Sequence, residues 1–172
     1  GMSGALHPGI FDQPELNGGE IMIVHQISVF AENKPGQLAR LTRILGKEKV
    51  NIRATTIATT ATFGVINLIV DDPQKAIKAI KKDGMMVTTK EVIAVIIDDR
   101  PGGLDRLTQM LFQENVNVNN AYGFVLDSWK TAVFVVEVDD IARAQKLIEK
   151  AGFKTLDDDA LSSVEPFHYV KY

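Results

Sequence analysis

Apolar and polar residues alternate from His25 to Ala31, placing Ile27, Val29 and Ala31 on one side of an extended chain. A period of two is the mark of a half-buried strand. The rhythm then changes. Leu38, Leu41, Ile44 and Leu45 recur at helical spacing after Pro35, a residue tolerated in a first helical turn. Strand patterns return over 51–59 and 63–70, a short helix is predicted over 73–82, and Gly84 precedes a closing strand.

The same succession then begins again. Glu91 to Ile97 is the counterpart of the first strand, Leu104, Leu107, Met110 and Leu111 follow at helical spacing, and strands are predicted over 117–126 and 130–138. A helix over 140–150, then Gly152 and a last strand, complete the second round. Aligned at a shift of 66, Pro35–Ile52 and Pro101–Val118 share ten of 18 residues. Background frequencies give about one. The chain is one unit written twice. Each copy reads β-α-β-β-α-β, so the fold class is α+β: two ferredoxin-like units in tandem, with antiparallel sheets and helices on one face. The expected division is a tail over 1–21, with Gly1 before Met2 a cloning scar, units over 22–90 and 91–160, and an extension over 161–172.

Composition narrows the chemistry. A net charge of −3 offers no footprint for nucleic acid or an anionic membrane. No apolar run is long enough to span a bilayer, and residues 1–20 lack the plan of a signal peptide. With no cysteine, disulfides, thiolate metal sites and thiol nucleophiles are excluded, which fits a cytoplasmic protein. His7, His25 and His168 are scattered and read as surface or packing residues. Asp157-Asp158-Asp159 reads as a solvated acidic turn, and Asp71-Asp72 and Asp139-Asp140 as helix caps. No catalytic motif is present, so no enzyme activity, cofactor or metal is expected.

Several ferredoxin-like families remain, and topology alone gives no function. Heavy-metal domains need a cysteine pair, and RNA-recognition domains need aromatic central strands and a basic surface. The signature here is Glu32-Asn33-Lys34-Pro35-Gly36-Gln37-Leu38, a helix, then Val50-Asn51-Ile52. Its copy is Asp98-Asp99-Arg100-Pro101-Gly102-Gly103-Leu104, a helix, then Val116-Asn117-Val118. This pattern resembles the ACT domain, the small-molecule sensing module of amino-acid metabolism, over nearly all of residues 22–158.

The resemblance implies a regulatory sensor for a free amino acid or close analogue, acting on a partner enzyme. It also implies sites where residues 33–38 face the other copy near Asn117 and Val118, and residues 99–104 face it near Asn51 and Ile52. The residues suit that role. A helix N-terminus offers unpaired N–H groups and partial positive charge to a carboxylate. Gly36 and Gly102 allow close approach, and the Asn51 and Asn117 amides can both donate and accept. The first loop is favoured, because Asn33 and Gln37 add polar groups that Asp99 and Gly103 do not match. The alternative is a ligand-free subunit that assembles with a partner enzyme. A homodimer is also expected: Val92, Ala94 and Ile96 make the helix-free sheet face apolar, so two chains would pack sheet against sheet.

Overall fold

A computed structural model describes residues 22–163. The strands are β1 (Val24–Glu32), β2 (Ile52–Thr59), β3 (Phe63–Val70), β4 (Met86–Asp98), β5 (Asn120–Asp127), β6 (Thr131–Glu137) and β7 (Thr155–Leu156). The helices are α1 (Gln37–Lys47), α2 (Pro73–Lys82), α3 (Gly103–Gln113), α4 (Ile141–Lys150) and α5 (Asp158–Ser162). The two ferredoxin-like units expected from the repeat are present.

Local chemistry explains the boundaries. Asp72 and Asp140 cap α2 and α4, each accepting from the backbone N–H three residues on, Lys75 and Arg143. Gly84 and Gly152 follow the helix ends with φ of 83° and 91°, values that L side chains avoid. The buried residues of α1 (Leu41, Leu45) and α2 (Ala76, Ile80) pack on Ile27, Val29, Ile66 and Leu68. In the second unit Leu107, Leu111, Ala144 and Ile148 pack on Ile93, Val95 and Val136.

The two units share a strand. β4 runs unbroken for 13 residues through the expected 90/91 junction. Its first half closes the first unit, pairing with β1 from Val24↔Val92 to Phe30↔Met86. Its second half opens the second unit, pairing Ile93↔Val136 and Ala94↔Val135 with β6. β7 pairs with Ala94 and Val95 on the other edge. One sheet results, in the order β2-β3-β1-β4-β6-β5. Val87, Ile93 and Val95 face helices, while Val92, Ala94 and Ile96 point the other way.

That second face is covered within the chain. The sheet curls, helix-free side inward, until β2 and β5 approach each other. A middle cluster forms from Val24 and Ile69 of the first unit, Val92, Ala94 and Ile96 of β4, and Val133, Val135 and Leu156 of the second. Ala160 and Leu161 of α5 complete it. The apolar face of the second copy therefore meets the first copy and α5, and its burial requires no second chain. The sequence pattern marks the face as buried but is silent on which sheet buries it.

A chain of side-chain hydrogen bonds runs through this inner layer. Tyr122 Oη donates to Gln26 Oε1 (2.7 Å), Gln26 Nε2 to Ser28 Oγ (3.3 Å), and Ser28 Oγ to Asn67 Oδ1 (2.8 Å). Gln26, Ser28 and Asn67 are buried, so each bond avoids an unpaired polar group in a dry interior. Burial, with Glu137 nearby, raises the Tyr122 phenol well above its ordinary value. The folded state then keeps a proton that the unfolded chain releases above about pH 10. This contribution to stability is whole below that pH and falls by about 1.4 kcal/mol per unit above it. Tyr122→Phe should remove that component of the alkaline slope in urea unfolding between pH 9 and 11. At neutral pH the same variant should lose about 1–2 kcal/mol, because Gln26 Oε1 is left unpaired.

The acidic turn expected at Asp157–Asp159 is instead structural. Asp157 caps α5 through Ala160 N–H (2.7 Å). Asp158 accepts from the His25 backbone N–H (2.9 Å) and pairs with His25 Nδ1 (2.5 Å). Their separation of 133 positions in sequence hides this contact from any local reading.

Candidate ligand-binding loops

The strand-to-helix turns have the same shape in both units. Gly36 (φ 91°) and Gly102 (φ 87°) occupy the N-cap positions in left-handed conformation, and no side chain caps either helix. A Cβ built on either glycine would meet nothing within 4 Å. The glycines are thus required by backbone geometry, and the space before them is open. Each loop is tied to the hairpin of its own unit. Asn33 N–H donates to Thr62 O (2.9 Å) and Asn33 Nδ2 to Thr60 O (3.0 Å). In the second loop Asp99 N–H donates to Lys130 O (3.0 Å), and Asp99 Oδ2 accepts from Trp129 N–H (2.7 Å).

Asn33 and Asp99 therefore do the same structural work with opposite polarity. The Asn33 amide nitrogen is spent on the hairpin, and the Asp99 carboxylate is turned toward Trp129 N–H. Lys34 pairs with Glu32 (2.8 Å), and its ammonium holds the Glu32 carboxyl below the usual range. Pro35 and Pro101 precede the glycines within the turns, and Leu38 and Leu104 are part-exposed at the helix starts.

The copies differ one residue later. Gly103 sits so close to β4 that a Cβ there would lie 2.0 Å from Asp98 O, and its N–H donates to Arg100 O (3.0 Å). Neither feature recurs at Gln37 among the described residues. The second turn is drawn shut against its strand, whereas the first keeps the Gln37 N–H and side chain available. Beside the second turn lies a cleft of about 190 Å³, bounded by Asp98, Gly103, Arg106, Thr131 and Phe153. Arg106 is stacked 4.5 Å over the Phe153 ring.

The asparagines stand at the other end of each unit. The Asn51 backbone is tied to Asp71, its N–H donating to the side-chain Oδ1 (2.9 Å) and its carbonyl accepting from Asp71 N–H (3.1 Å). Asn117 Nδ2 donates to Asn119 Oδ1, and Asn119 Nδ2 to Asp139 Oδ1. Ile52 and Val118, next along, pack against the helix-side cores. The first loop lies past the start of β4, the second past its end, about 40 Å apart along an extended strand of that length. Among the described residues no hydrogen bond or ion pair joins 33–38 to Asn117, or 99–104 to Asn51. A further cleft of about 390 Å³ runs between α1 and α2, with Arg40, Arg43, Lys47 and Lys82 on its rim. Arg40 is held there by Asp83.

Two such units, each with a Pro-Gly turn at a strand end and joined through one strand, match the ACT domain pair over residues 22–165. The chain belongs to the ACT domain pair family. Among solved structures, this ACT pair superposes on a protein of Bacteroides thetaiotaomicron with a TM-score of 0.77 and 30% identity, covering 83% of this chain and 97% of that one. It also resembles the ligand-free regulatory subunit of aspartate kinase from Thermus thermophilus (TM-score 0.56, 12% identity, 77% and 95% covered). The corresponding subunit from Thermus flavus gives 0.51 and 13%, with 77% and 94% covered. At these identities the two Thermus structures speak for the fold. No curated protein matches the ACT pair in sequence. No described helix is long and apolar enough to cross a membrane, and no group of acidic or histidine side chains among the described residues could hold a metal.

Proposed function

We propose that the protein is a non-catalytic cytoplasmic sensor that binds a free amino acid, or a close analogue, and regulates a partner enzyme of amino-acid metabolism. The observation that carries this reading is the first turn: Gly36 opens α1 with uncapped N–H groups facing unfilled space. A ligand carboxylate gains from those donors and from the helix dipole together. The Thermus neighbours are regulatory subunits of aspartate kinase, which supports an enzyme as the partner. Since neither loop reaches the opposite asparagine within one chain, a second copy supplies the neighbouring ACT domain, making the functional species a homodimer. Regulation then requires that the ligand bind one domain arrangement more tightly than another.

A thermal-shift screen of the twenty amino acids and their 2-oxo acids tests the reading. At ten times its Kd a ligand adds about 1.4 kcal/mol, which raises Tm by roughly 3–6 °C in a chain of this size. Gly36→Asn keeps the left-handed turn, which asparagine tolerates, but fills the space before it. It should abolish the shift while leaving the unliganded Tm within a few degrees. No shift with any compound would defeat the sensor reading and favour the ligand-free subunit.

A further inference from the structure

The helix-free face of the first unit is covered over only part of its length. Val24, Gln26 and Ser28 are buried, yet Phe30, the next residue on that face, is 36% exposed. Phe30 stands opposite Val65 on β3 and Met86 on β4. Phe63, two residues from Val65 on the same face, is 58% exposed, and Met86 is 68% exposed. Directly opposed side chains have Cβ atoms about 5 Å apart, and diagonal ones about 7–8 Å. These four residues therefore form one apolar patch at the outer end of the sheet. In the second unit the inner face is closed by Leu156, Ala160 and Leu161, which the chain contributes after its last helix-side packing is complete. The outer end of the first unit has no such cover among the described residues.

The path of the chain indicates where one comes from. α5 ends at Ser162, whose carbonyl accepts from Arg53 Nη2 (3.4 Å), so the chain leaves α5 beside the start of β2. Ala58, five residues along β2, is opposite Val65 of the patch. That is about 17 Å of strand. Residues 164–172 lie outside the described residues and read Val-Glu-Pro-Phe-His-Tyr-Val-Lys-Tyr. Nine residues reach up to about 30 Å, enough to pass from α5 to Phe30. The segment carries Phe167, Tyr169 and Tyr172, side chains that each bury about 150–250 Å² when covered. We propose that residues 164–172 dock on the Phe30–Phe63–Val65–Met86 patch of their own chain. The assignment rests on reach, anchorage and apolar character, and is independent of any ligand at the loops.

The absence of cysteine allows a direct test. Met86→Cys with Tyr169→Cys is compared with Lys78→Cys and Tyr169→Cys, Lys78 being exposed on α2 over the opposite face. Under mild oxidation the first pair should close within one chain at least tenfold faster than the second, read by non-reducing gel and intact mass. Equal rates overturn the proposal, and so does a disulfide-linked dimer as main product, which would hand the segment to a second copy. Deleting residues 164–172 should raise binding of an apolar dye severalfold with far-ultraviolet dichroism unchanged. A folded deletion variant with the dye binding of the full chain counts against docking. Should the deletion unfold, the cysteine pair decides alone.

Discussion

Gly103→Ala should lower the free energy of unfolding by about 3 kcal/mol, near the top of the range for forcing atoms into a filled site. The added Cβ would lie 2.0 Å from Asp98 O and 3.0 Å from Asp98 C, and both belong to backbone that β6 holds in register through Asp98↔Thr131. Relief therefore requires the first turn of α3 to move off the end of β4, not a rotation of one side chain. Gly36→Ala is the matched comparison. Its Cβ meets nothing, so only the strain of a left-handed φ remains, about 1–2 kcal/mol. Urea unfolding of the two variants should separate them by at least 1 kcal/mol, with Gly103→Ala the worse. Equal losses would mean that the second turn is not shut against its strand.

Leu161→Ala is the second large effect. Leu161 is 1% exposed and completes the middle cluster beside Leu156, Val24 and Ile69. Truncation leaves a cavity between the two halves of one sheet, which are joined through β4 and cannot close independently, so a loss of about 3 kcal/mol is expected. In a chain of this size that lowers Tm by roughly 6–12 °C. Hydrogen exchange should quicken in β1 near His25 and in β7, since α5 holds both through Asp158 and the cluster. A variant with unchanged Tm would show that α5 is an ornament on a sandwich stable without it.

Much of the architecture was legible because its signals are local and repeated. The helix of 73–82 was predictable to the residue, since Asp72, Pro73 and Gly84 bracket it and Ala76 and Ile80 set its inner face. The predicted strand at 63–70 is β3 to the residue. The two Pro-Gly turns, matched at a shift of 66, pointed to the family, while the left-handed conformation of Gly36 and Gly102 came from the structure. The unbroken apolar run from Val92 to Ile97 showed that both faces of the second unit's first strand are buried.

What covers the inner face was not legible, because alternation reports burial and not the identity of the neighbour. A sheet face buried by a second chain and one buried by the other half of the same chain leave the same pattern. The roles of Asp158 and Gly103 were hidden for a related reason. An acidic triplet looks solvated until His25 is brought to it, and Gly103 reads only as the lack of a polar side chain until Asp98 O is found where it would lie 2.0 Å from an added Cβ. The sequence by itself determined the duplicated unit, its helices and strands, and the turns that belong to the ACT family, all set by neighbours a few residues apart. Only the tertiary structure decided that one strand serves both units, that their bare faces meet, and that one turn is shut while the other stands open. Those outcomes depend on contacts between residues far apart in the chain, where side-chain volume and backbone approach, not local periodicity, select the arrangement.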